Sequence, residues 1–122
     1  MKGFRNYVEG AWEWIEPRSS APYPEDGGHH LLLGTDRQAL LEIAREEVNA
    51  LRAMAARISL EPVTARREYA CCLHARHARG EGALIHRLGI NQGIRYGGWM
   101  GKGCTIGDFY RTLCTSKEEL LR

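Results

Sequence analysis

The stretch from Asp36 to Ile58, DRQALLEIAREEVNALRAMAARI, limits what the rest of the chain can fold into. It contains no proline or glycine and is filled with Ala, Leu, Glu, Arg and Met, all strong helix formers. Leu41, Ala44, Val48, Leu51, Ala55 and Ile58 recur in steps of three and four, and Leu40, Ile43 and Met54 widen that stripe. Arg37, Glu42, Arg45, Glu46, Arg52 and Arg57 fall on the other side. Thr35, with Gln38 three positions on, has the spacing of a reciprocal N-terminal cap, and Ser59 and Pro62 mark the stop. The pattern predicts one helix of 23 residues, ~35 Å long.

The same reading extends in both directions. Asn6 to Ile15 reads as a short helix whose Tyr7, Val8, Ala11, Trp12, Trp14 and Ile15 give a wide apolar surface. Thr64 to Arg79 reads as a second substantial helix closed by Gly80 and Gly82, and Thr105 to Cys114 as another. Residues 17–34 form a Pro/Gly-rich linker in which His29 to Leu33 is a short strand or a buried loop. Residues 91–107 hold six glycines around Tyr96, Trp99 and Met100, a density that points to tight turns in a Gly-rich loop region. The expected fold is mainly α: residues 1–122 as a single small helical domain around one long central helix, with the Gly-rich segment before the last helices.

Charge is uneven along the chain. Up to Val63 there are seven basic and ten acidic side chains; from Thr64 to Cys114 there are eight and three. A basic second half is something a partner can read. No apolar run approaches the length of a membrane span, and the start lacks an apolar signal core. Four cysteines without a secretory signal are expected to be reduced thiols in the cytoplasm.

Chemistry-bearing patterns are weak. Cys71 and His74 share a helix face at a spacing of three, and Cys104 and Cys114 would complete a zinc set supplied from elsewhere in the fold. There is no Cys-x-x-Cys pair and no His-Glu-x-x-His. The run GGWMGKGCT lacks a Ser or Thr directly after Lys102, which a nucleotide loop requires. Leu84 to Gly93 resembles the first helix and turn of a helix-turn-helix, but Gly93, Gly97 and Gly98 would interrupt the reading helix. Arg87, Arg95, Lys102 and Arg111, interleaved with Tyr96 and Trp99, form a nucleic-acid-binding alternative of the kind single-strand binders use.

With no catalytic grouping and no cofactor expected, the sequence is read as a non-enzymatic protein-protein interaction module. It would be a regulator, adaptor or inhibitor that binds a protein partner and self-associates as a homodimer. Its interface residues would be Trp12, Trp14, Leu40, Ile43 and Met54, because tryptophan is enriched among binding hot spots and the helix stripe exceeds one narrow seam. The alternatives are a small nucleic-acid-binding protein, and a zinc-stabilised domain or small enzyme.

Overall fold

The computed structural model describes residues 4–17, 28–75 and 93–101. Within them the chain is mostly antiparallel sheet, which overturns the mainly α, all-alpha expectation. The elements are β1 (Phe4–Glu9), β2 (Trp12–Pro17), β3 (Gly28–Gly34), α1 (Arg37–Asn49), β4 (Ala55–Ser59), β5 (Tyr69–Ala75) and β6 (Ile94–Met100). The strands form one sheet in the order β1-β2-β4-β5-β3-β6, with every neighbouring pair antiparallel. No helix among the described residues is long and apolar enough to cross a membrane.

The first predicted helix is a hairpin. Gly10 has φ +62 and fills the first central position of a two-residue turn closed by Glu9 and Trp12, the position where left-handed backbone calls for glycine. Tyr7, Trp12 and Trp14 then lie on one face and Ile15 on the other, in the period-two alternation of a strand. Aromatic side chains favour that pleated surface.

The long predicted helix is shorter than its sequence pattern. Asp36, rather than Thr35, caps it, accepting from the Gln38 and Ala39 backbone N–H groups at 3.1 and 3.3 Å. It ends at Asn49, and residues 55–59 turn back as β4. Leu40, Leu41, Ala44 and Val48 are buried over the sheet, against Ile15 of β2, Leu32 of β3, Ala56 and Ile58 of β4, and Cys71 and Leu73 of β5. Arg37 ties the start of the helix down, with Nη2 2.6 Å from Glu13 Oε1 and Nε donating to the Ser59 carbonyl at 3.0 Å.

The predicted linker and Gly-rich loop both contain strands. β3 pairs with β5 on one side and β6 on the other, and Leu31, Leu32 and Leu33 are completely buried. An uninterrupted apolar run is what a strand covered on both faces requires. On the face away from α1, Leu31, Leu33, Ala70 and Cys72 form a second buried cluster with Trp12 and Val63 packed against it. The predicted helix over 64–79 is overturned by β5 from Tyr69. The segments predicted as helix beyond residue 101 lie outside the described residues.

Candidate functional site

The side chains that stand out chemically sit on the sheet face away from α1. Alternation places Trp12 and Trp14 of β2, Arg57 of β4, Cys72 and His74 of β5, and His29 of β3 on this one face. The Arg57 guanidinium lies 4.4 Å from the Trp12 ring centroid and 5.5 Å from that of Trp14. A cation over indole faces is held by the ring quadrupole, most strongly where water is partly excluded. Among the described residues no carboxylate lies within ion-pair distance of Arg57, and its Nε is buried with no hydrogen-bond partner.

An aromatic row crosses the sheet beside this cation. Tyr7 stacks on Trp14 with centroids 6.4 Å apart and planes 11° apart, and Trp14 stacks on His74 at 5.5 Å and 18°. His29 meets His74 at 5.3 Å. Trp14 and His74 are on strands separated by β4, and the β4 residue paired with His74 is Ala55. Its single methyl group leaves the indole room to lie across the strand.

Burial of the two imidazoles sets their chemistry. Desolvation, reinforced by the nearby Arg57 charge and by His30, lowers the His29 pKa to about 4. Desolvation, with His29 and Arg57 adding to it, lowers that of His74 to about 3. Both rings are therefore neutral near pH 7, weak bases better suited to stacking than to taking a proton. Burial pushes the Cys72 thiol up to about 11 despite the Arg57 guanidinium beside it, so it is not a ready nucleophile.

Comparison with protein-family models, with curated proteins and with solved structures finds no match to this chain.

The sequence-derived candidates divide by place in the fold. Trp12 and Trp14 are half-buried on the face just described. Leu40 is fully buried in the core under α1, Ile43 packs against that core, and Met54 is half-buried before β4. Of the basic set, Arg95 holds Glu68, Tyr96 shares a hydrogen bond of 2.8 Å with His30, and Trp99 meets His30 edge-on at 4.9 Å. Arg87, Lys102 and Arg111 lie outside the described residues. Of the zinc set, Cys71 faces α1 while His74 faces the opposite side, because residues three apart on a strand point oppositely. Cys104 and Cys114 lie outside the described residues, within which no group of three metal-ligating side chains occurs. Arg57 and His29 are the site residues that sequence reasoning misses. The period-two pattern of Ala55-Ala56-Arg57-Ile58-Ser59 is the available signal for Arg57.

Proposed function

We propose that this protein is a non-enzymatic interaction module of the cytoplasm, which self-associates and binds a protein partner as its regulator, adaptor or inhibitor. The observation that carries the reading is Arg57 framed by Trp12 and Trp14 with no carboxylate beside it among the described residues. Tryptophan and arginine are the side chains most enriched at binding hot spots. A guanidinium pre-oriented on aromatic rings presents its remaining N–H donors in the fork that matches a carboxylate. The partner chemistry this fits is an acidic segment with an apolar side chain next to the acid. The free, buried Cys71 and Cys72 thiols support a reducing compartment.

The test uses a short Glu-rich peptide containing one leucine, and its Gln counterpart, titrated against the full chain by intrinsic tryptophan fluorescence and calorimetry. The reading expects the Glu peptide to bind at least about tenfold more tightly, with that advantage lost in Arg57→Gln and binding weakened in Trp12→Ala. Equal affinity for the two peptides, or an Arg57→Gln protein that binds as the native one does, would overturn the acidic-partner reading.

A further inference from the structure

We propose that two copies of this chain join through β1, edge to edge and antiparallel, with Tyr7 facing Tyr7 of the second copy across a twofold axis. The proposal rests on the self-association in the reading above and supplies its surface and register. Among the described residues β1 is a terminal strand of the sheet, and Arg5 to Gly10 are all exposed, with Tyr7 at 38% and Val8 at 60%. An exposed edge strand is a template for another strand unless proline, a bulge or like charges blunt it. β1 has no proline and pairs with β2 in unbroken register. Its two charges, Arg5 and Glu9, are of opposite sign.

The backbone restricts how the edge can pair with itself. The two-residue turn closes on a hydrogen-bonded pair, Glu9 with Trp12, so alternation turns the polar groups of Arg5, Tyr7 and Glu9 toward β2. The N–H and C=O groups of Asn6 and Val8 are then directed outward. A twofold axis normal to the sheet is the symmetry that makes two identical edges antiparallel neighbours, and it sets odd residues opposite odd ones. Three central registers satisfy this, with Asn6, Tyr7 or Val8 on the axis.

Charge selects among them. With Tyr7 on the axis, Arg5 of each copy stands directly opposite Glu9 of the other, twice per dimer, and Asn6 pairs with Val8 through the outward backbone groups. The other two registers place Arg5 or Glu9 opposite Tyr7 and leave the charges without this match. Arg5 is already oriented by Glu16, with Nη2 3.1 Å from Oε1, and is more than half exposed beyond that contact. Each guanidinium would then lie between Glu16 of its own chain and Glu9 of the next. Opposite charges in directly opposed positions stabilise a strand pair, whereas like charges destabilise it. Pairing Tyr7 with Tyr7 also joins the two aromatic rows, so that Trp14 and His74 of both copies lie along one continuous line.

One short ladder is a small interface, and the dimer it makes is of the weak, reversible kind. The test follows mass by sedimentation equilibrium from low micromolar to millimolar protein. The native chain should form a reversible dimer. Arg5→Glu and Glu9→Arg should each weaken it by roughly tenfold or more, since each homodimer then sets like charges opposite. An equimolar mixture of the two variants should restore it. The first variant is acidic at both positions and the second basic at both, so every opposed pair in the mixed dimer joins unlike charges. Restoration also shows that both variants are folded. Tyr7→Cys should give an intermolecular 7–7 disulfide, mapped by peptide mass spectrometry, because directly opposed residues lie within disulfide reach. A native chain monomeric at millimolar concentration would overturn the proposal together with self-association. A native dimer unaffected by both charge variants, or a Tyr7→Cys variant that dimerises without a 7–7 disulfide, would overturn the β1 register and leave self-association standing.

Discussion

Arg95 grips Glu68 with two nitrogens, Nε on Oε2 and Nη2 on Oε1, each at 2.9 Å. Glu68 precedes β5 and Arg95 is on β6, so the pair reaches past β3, the strand between them. The Thr64 hydroxyl donates to Glu68 Oε1 at 3.1 Å and accepts from the Glu68 backbone N–H at 3.2 Å. A buried carboxylate with this set of donors is satisfied; one stripped of its cation is not.

Glu68→Gln should therefore lower stability by about 1–3 kcal/mol, the usual cost of leaving a charged hydrogen-bonding group without its match. Hydrogen bonding to Arg95, against the cost of burial, holds the Glu68 pKa below its ordinary 4.5. Its contribution is then complete above pH 4.5 and is lost as pH falls through the lower folded value. Urea unfolding of native and Glu68→Gln proteins should differ most near neutral pH and converge in acid.

Leu51 offers the opposite change. It has φ +62 and is 74% exposed, so a leucine occupies left-handed backbone with little packing in return. Its N–H donates to the Val48 carbonyl at 3.0 Å, and that of Arg52 to Glu47 at 2.9 Å. These are the two bonds of a Schellman helix end, at the position glycine normally fills. Leu51→Gly should raise stability by roughly 1 kcal/mol, seen as a higher urea midpoint with an unchanged slope.

That same leucine is why the helix looks so long in the sequence. A glycine at position 51 would signal the stop; a leucine in phase with Leu41, Ala44 and Val48 carries the helical pattern across the turn and into β4. Trp12 and Trp14 are legible as exceptional residues, but their period-two alternation passes for a broad helical stripe. The helix itself and its buried Leu41, Ala44 and Val48 are legible because they obey the 3.6-residue repeat. The pairing of His29 with His74 is not, since it depends on the register of β3 with β5, a non-local choice that no short pattern encodes.

The neutral state of those two histidines gives a pH signature. Folded pKa values of about 4 for His29 and about 3 for His74 lie below the ordinary 6.5, so each favours folding while neutral. Their contribution is full above pH 6.5 and declines as pH falls below it, because the unfolded chain takes up protons that the folded one refuses. His74→Phe keeps a ring against Trp14 without a titrating nitrogen, and should lose less stability than the native protein between about pH 6.5 and about pH 4. Nuclear magnetic resonance of the native imidazoles should show these two unshifted down to about pH 5, where an ordinary histidine has titrated.

The glycines of β6 have the spacing of loop residues, yet Gly97 belongs to the packing of a strand. The ladder between β3 and β6 shifts register at Leu31/Leu32, so that Gly98 faces Leu31 and Tyr96 faces Leu32, with Gly97 as the extra residue of a bulge. A Cβ on Gly97 would stand 2.9 Å from Leu31 Cδ2 and 3.1 Å from its Cγ. Leu31 is fully buried, so its side chain can yield only by disturbing the neighbours packed on it. Gly97→Ala should therefore destabilise by about 1–3 kcal/mol through overpacking, and Leu31→Ala by about 2–5 kcal/mol through the cavity it leaves. Combined, they should cost less than the sum of the two, because the new methyl enters space that the lost side chain vacates. A double-mutant cycle by urea denaturation measures that coupling. A sum that is strictly additive would show that Gly97 is required for its backbone conformation alone, and not for its approach to Leu31.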